Sequence, residues 1–275
     1  MKSLFLTFGD GSSEFRAAAL RLADQAKELD IFTSIRVLNH ETLWIASEEY
    51  RKSFSSIEKL DAYPKYFRAV KAWVIHTALI GKFGEFDVVC YADAGCEILS
   101  NRITRLVLKR NIQSAYLYGG LAEQLTRPER SWTKQKTFAY FNTSSTDRLS
   151  GQIQSTLSYW RVDEGNIKLA SQWCLASNNE LDLWQDPKDK NLESSYFEDH
   201  RHDQSIFSLL WKQAELPVVP MNSQWTPYLP AILTASTPIQ TIRNRTGDSK
   251  IRKISRYSVV AIASFLLNKV WLIKR

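Results

Sequence analysis

One stretch limits the possible folds more than any other: Phe86-Asp87-Val88-Val89-Cys90-Tyr91-Ala92, a nearly continuous apolar run that stops at Asp93-Ala94-Gly95. A strand with one wet face alternates apolar and polar residues. A run this continuous belongs to a central strand covered on both faces, the condition found inside parallel sheets. The residues before it support that setting. Residues 3–8 read as a buried strand closed by Gly9-Asp10-Gly11, and Phe15, Ala18, Leu22, Ala26 and Leu29 then recur at helical spacing. Residues 31–38 form a second strand, so the first forty residues predict a right-handed βαβ unit.

Further along, Phe67, Val70, Val74, Ala78 and Leu79 predict a helix over 65–82, directly before the apolar run. Leu117 and its neighbours in 114–118 predict another strand. From about 120 to 190 the pattern mixes helices with polar connections, without an internal repeat. Residues 200–213 start polar and become amphipathic, as the first turns of a helix do. Pro217, Pro220, Pro227, Pro230 and Pro238 mark an extended stretch. The expected fold class is α/β, a mostly parallel central sheet flanked by helices over 1–245, followed by a basic amphipathic tail over 246–275.

Charge narrows the partners. The net charge is +7, and Arg243, Arg245, Lys250, Arg252, Lys253 and Arg256 crowd one segment opposed only by Asp248. The rest is nearly balanced, which suits a local anionic partner and disfavours a nucleic-acid-binding face across the domain. Residues 257–273 are apolar apart from Ser258, Ser264, Asn268 and Lys269, too short and interrupted for a comfortable membrane span. With the basic run they predict an interfacial helix that holds 250–275 on an anionic membrane surface. Three cysteines without CxxC spacing argue against a disulfide framework or a zinc site and fit a reducing compartment. With no signal-peptide pattern at the start, the expected location is the cytoplasm, including the inner face of the plasma membrane. GxGxxG, GxxxxGK[ST] and GxSxG are all missing, which counts against dinucleotide oxidoreductases, P-loop enzymes and α/β-hydrolases.

Asp93 falls where open parallel sheets place their ligands, outside the carboxyl end of a central strand. A carboxylate there, followed by Gly95, suits a divalent cation on a phosphate: such ions take hard oxygen ligands, and glycine lets backbone approach. The plainer reading makes Asp93 a loop cap and Glu97 a solvated neighbour. Asp203 could likewise be a helix cap, or His200, His202 and Asp203 could line a polar cleft around sugar hydroxyls. Arg243 and Arg245 could clamp a diphosphate by forked hydrogen bonds, or belong to a solvated charge run.

Tyr91-Ala92-Asp93-Ala94-Gly95-Cys96-Glu97 resembles the strand-ending run of bacterial surface-polysaccharide glycosyltransferases of the type A (nucleotide-diphospho-sugar transferase) fold. Thr7-Phe8-Gly9, Trp132-Thr133-Lys134 after Glu129, and His200 to Ser208 are similar to the same group. The resemblance implies a nucleotide-diphospho-sugar donor, Mn²⁺ or Mg²⁺, and a glycan or lipid-linked acceptor. It places Thr7 and Gly9 at the nucleoside, Asp93 at the metal, and Gly95, Lys71, Lys134, Arg243 and Arg245 at the phosphates. Gln152, His202 and Asp203 would serve the sugar and the reaction. Asp-Ala-Gly in place of Asp-x-Asp leaves a second metal carboxylate unassigned. A sugar-nucleotide-forming nucleotidyltransferase, or a non-catalytic glycan- or membrane-binding protein on the same fold, are the alternatives.

Overall fold

The computed structural model describes residues 1–57, 69–98, 100–220 and 239–240. Its strands are β1 (Ser3–Phe8), β2 (Ser34–Leu38), β3 (Val88–Ala92), β4 (Glu97–Ile98), β5 (Gly120–Pro128), β6 (Gly151–Arg161), β7 (Val218–Pro220) and β8 (Ile239–Gln240). Six of them form one sheet in the order β2-β1-β3-β6-β5-β7, while β4 and β8 pair separately. β1 is parallel to β2 and β3, and β5 to β7; β6 is antiparallel to both its neighbours. All but β6 therefore run one way, and the fold is α/β with a mostly parallel sheet, as the apolar run requires.

Helices cover both faces. α1 (Ser13–Glu28) follows β1; α2 (His40–Ala46), α3 (Glu48–Ile57) and α4 (Val70–Leu79) lie between β2 and β3; α5 (Arg102–Tyr118) precedes β5. Short α6 (Gln135–Tyr140) and α7 (Ser145–Leu149) connect β5 to β6, and α8 (Glu164–Asn179) and α9 (Asp203–Gln213) follow β6. Every residue of β3 is buried. Alternation along the strand divides its side chains between two cores. Val89 and Tyr91 pack with Leu4 and Leu6 against residues of α4, α8 and α9, whereas Val88, Cys90 and Ala92 pack with Phe5 against α1 and α5.

The expected strand at 114–118 is instead the last turn of α5. That helix buries Thr104, Leu108, Ile112 and Ala115 at helical spacing, starts at the Asn101 cap and stops at Gly119, whose φ of 94° is left-handed. Tyr116, Leu117 and Tyr118 are strand-forming residue types, but they sit on the exposed side. The expected irregular middle holds the two longest strands, β5 and β6. Their interior polar residues disguise them: Gln152, Gln154, Ser155 and Ser158 are buried in β6, and Gln154 bonds to Glu123 of β5.

β6 also carries a bulge. One step along β5, from Ala122 to Glu123, answers to the passage from Ser158 to Gln154 on β6, leaving 155–157 without partners on β5. An odd number of extra residues reverses the alternation. Ile153 thus shares a core with Trp160, although Leu157 and Tyr159 face the opposite one. Among the described residues no helix is long and apolar enough to cross a membrane. The expected tail over 246–275, with Arg243, Arg245 and the boundary at 245, lies outside the described residues.

Gly9 ends β1 where α1 crosses it most closely. A Cβ there would stand 2.4 Å from Cβ of Ala19 and 2.8 Å from the Phe15 carbonyl oxygen. Gly9→Ala is therefore expected to lower stability by about 1–3 kcal/mol through overpacking. Thermal melts check this, and an unchanged melting temperature would show that α1 moves aside freely.

Candidate active site

α4 is buried on nearly every side, as a helix apolar all round must be, and Lys71 in its first turn is its only Lys, Arg, Asp or Glu. An ammonium carried inward on such a helix is costly unless paired. Two carboxylates meet it. Nζ of Lys71 lies 3.0 Å from Oδ1 of Asp93 and 2.8 Å from Oδ2 of Asp203, and donates to Oγ of Ser155 at 3.0 Å. Ser155 in turn donates to Oδ2 of Asp203 at 3.1 Å, and the Tyr91 hydroxyl donates to Oδ1 of Asp93 at 2.9 Å. Burial works against the Lys71 charge, but Asp203 and Asp93 outweigh it and hold the ammonium above the ordinary lysine range. Burial, with Asp93 beside it, pushes the Tyr91 hydroxyl well above its usual range, so Tyr91 stays a donor.

Each member is set by the fold. Asp93 follows the last residue of β3, on the same side of the strand as Tyr91 and hence on the α4 side. Its N–H bonds to the Thr156 carbonyl at 2.9 Å, inside the β6 bulge that also presents Ser155. The Asp93–Cys96 turn, which contains Gly95, closes through the Cys96 N–H to the Asp93 carbonyl. Arg21 of α1 clamps it, donating to the Ala94 and Cys96 carbonyls at 3.3 and 3.2 Å. Asp203 is the first residue of α9. Before it, His202 has φ 46° and ψ −110°, a left-handed backbone that costs a non-glycine residue on the order of 1–3 kcal/mol. A 2.9 Å bond from His202 Nε2 to Asp186 holds that corner. Asp203 therefore does not cap its helix; its carboxylate faces Lys71 and Ser155.

A buried polar network secures α9 from below. Glu129, wholly buried, bonds through Oε1 to Thr133 Oγ1 (2.6 Å) and Gln152 Nε2 (2.9 Å). Its Oε2 takes Lys212 Nζ at 2.7 Å and the Ser208 hydroxyl, both from α9. Gln152 accepts from Gln204 Nε2 at 2.6 Å, next to Asp203. A removed partner would strand the Glu129 charge in the interior.

No family model and no curated protein matches this chain. Among solved structures, the apo form of mouse xyloside xylosyltransferase 1 is similar at 10% identity and a TM-score of 0.38, over 81% of this chain and 86% of that one. Galactosyltransferase LgtC with donor and acceptor sugar analogs is similar at 14% and 0.38, over 94% and 84%. The apo bifunctional glycosyltransferase WbbM is similar at 11% and 0.38, over 96% and 44%. At these scores no activity carries over, so the side chains must supply the argument.

The structure thus brings Lys71, Asp93 and Asp203 together, with Gly95 in the adjoining turn. Tyr91, already part of the Tyr-Ala-Asp-Ala-Gly run, joins them with Ser155 and Arg21, which no pattern in the sequence singles out. Thr7 is fully buried in β1, and among the described residues its Oγ1 has no hydrogen-bond partner. Gln152 is fully buried, its amide committed to Glu129 and Gln204. Lys134 is also buried, and its ammonium bonds to the Asp182 and Gln185 carbonyls, bracing the turn at 181–185. Glu97 is buried in β4, not solvated. A divalent cation shared by Asp93 and Asp203 would need the position filled by the Lys71 ammonium. Among the described residues no group of three His, Cys, Asp or Glu side chains could hold a metal ion. The Mn²⁺ or Mg²⁺ expected at Asp93 therefore gains no second carboxylate from Asp203, because the Lys71 ammonium occupies the space between them.

His200 does not line the cleft. It is fully buried, accepting the Lys134 N–H at Nδ1 (3.5 Å) and donating from Nε2 to the Leu183 carbonyl (2.7 Å). Burial lowers its pKa from 6.5 to about 3. The unfolded chain then binds a proton that the folded chain refuses, so this contribution to stability is present above pH 6.5 and is lost as pH falls towards 3. Denaturation across that window should show a slope of about 1.4 kcal/mol per pH unit from this group, and His200→Gln should remove it. An identical slope in the variant would show that other groups control the acid limb.

Proposed function

We propose that this chain is a glycosyltransferase that moves a sugar from a nucleotide-diphospho-sugar donor to a glycan or lipid-linked acceptor hydroxyl. The reading rests on one observation: two carboxylates far apart in sequence converge on one lysine beyond the carboxyl end of the central strand. Open sheets bind ligands there. Glycosyl transfer breaks the anomeric carbon–oxygen bond to the diphosphate, and the nucleoside diphosphate leaves with its electron pair, while the acceptor hydroxyl oxygen bonds the anomeric carbon and releases its proton to solvent or the departing diphosphate. Its transition state carries positive charge at that carbon. Two carboxylates and one ammonium leave one negative charge over, the sign that such a centre needs. Among the described residues Oδ1 of Asp203 has no hydrogen-bond partner, which leaves it for the donor sugar. Gly9, at the end of β1, and Gly95, beside Asp93, would flank the nucleoside and the diphosphate.

The finer parts of the proposal rest on the sequence. A role in surface-polysaccharide synthesis, donor phosphates held by Arg243 and Arg245, and a tail at 250–275 attached to an anionic membrane all follow from the resemblance or the charge pattern. Turnover and binding with UDP-, GDP- and dTDP-sugars test the activity. Asp203→Asn, nearly isosteric, is expected to lower turnover roughly 10²–10³-fold with a smaller change in donor affinity, as befits a group acting mainly in the transition state. Turnover near the wild-type rate would remove Asp203 from the mechanism. Release of pyrophosphate from a nucleoside triphosphate would point to sugar-nucleotide synthesis instead.

A further inference from the structure

Lys71 stands between two carboxylates, in the space that a divalent ion shared by both would occupy. An ammonium has three N–H donors and no acceptor. Those of Lys71 are directed at Asp93, Asp203 and Ser155, three groups on three separate elements. The Ser155 hydroxyl passes a further bond to Asp203, so the ring closes on itself. A divalent ion bound by both carboxylates would demand oxygens at about 2.0–2.2 Å in the same space. It could enter only by expelling an ammonium from its place on a buried helix that carries no Asp or Glu of its own.

We propose that Lys71 is a built-in cation that replaces a divalent metal between Asp93 and Asp203, so that donor binding needs no metal ion held by these carboxylates. The proposal deepens the glycosyltransferase reading and rests on it for its meaning, though not for its test. Lys71 does for the protein what a metal otherwise does: it holds two carboxylates together at fixed spacing. Unlike a divalent ion, it leaves their summed charge at minus one, matched to a centre that turns positive. It is a positioning residue, acting through Asp93 and Asp203.

Mn²⁺ titrated into the full chain and followed by its electron paramagnetic resonance signal tests this without a substrate. The wild type is expected to leave Mn²⁺ free up to about 1 mM, in the range of weak sites. Lys71→Met should acquire a site roughly tenfold tighter or more, since a positive neighbour has been removed, and a further Asp203→Asn should abolish it. Tighter binding by the wild type that disappears in Asp93→Asn overturns the proposal, as does a folded Lys71→Met that gains nothing. If circular dichroism shows Lys71→Met unfolded, the wild type against Asp93→Asn decides alone. A second arm measures sugar-nucleotide binding with chelator present. Affinity retained in chelator supports a metal-free site, and affinity that appears only with Mn²⁺ overturns it. No binding in either condition counts against the transferase reading and leaves the role of Lys71 to the Mn²⁺ result.

Discussion

The desolvation of one ammonium shapes this end of the molecule. Lys71 is drawn inward because α4, apolar apart from Lys71, His76 and Thr77, packs on the sheet, and an unpaired charge there would cost several kcal/mol. Asp93 and Asp203 stabilise it, but the pairing demands geometry. β3 must end at residue 93, α9 must begin at residue 203, and β6 must bend to bring Ser155 beneath both. The side chains of Lys71 and Asp203 are 11% and 21% exposed, and that of Asp93 is 36% exposed. The cluster is thus most exposed to solvent on its Asp93 side.

A second layer of polar contacts fixes that geometry. The Glu129 network joins the end of β5, the start of β6 and one face of α9, while Arg21 locks the turn after Asp93 from the opposite side of the sheet. Lys134 and His200 tie the segment at 181–185 to the approach to α9. These groups are buried and mutually bonded, so they resist the rotation of α9 that would carry Asp203 away from Lys71. The strained backbone at His202 lies between this rigid support and the cluster, where stored strain tends to be found.

Much of this was legible in the sequence where hydrophobic burial alone dictates structure. The continuous run became β3, the strands read at 3–8 and 31–38 became β1 and β2, and the resemblance had set Lys71, Asp93 and Asp203 around one donor. That the Lys71 ammonium pairs directly with both carboxylates was not legible, because side chains at 71, 93 and 203 are brought into contact only by the strand order. The helix mistaken for a strand at 114–118 shows three apolar or aromatic residues in a row whose exposure no short window reveals. β5 and β6 were hidden for the opposite reason: Gln152, Gln154, Ser155 and Ser158 look like loop residues, yet each is buried among polar partners. Lys134 and Gln152 were placed at the site by the resemblance, and the structure commits both to interior bonds.

The bulge at 155–157 has a consequence for how this protein can vary. Because it contains an odd number of residues, it sets which side of β6 faces which core, and Ile153 and Trp160 share a core only through that count. Losing one residue would turn the first half of the strand over, exposing Ile153 to the wrong core and moving the hydroxyl that bridges Lys71 and Asp203. The number of links in this segment is therefore a constraint of its own, added to the identities of Gln152, Gln154 and Ser155, whose side chains are bonded in the interior.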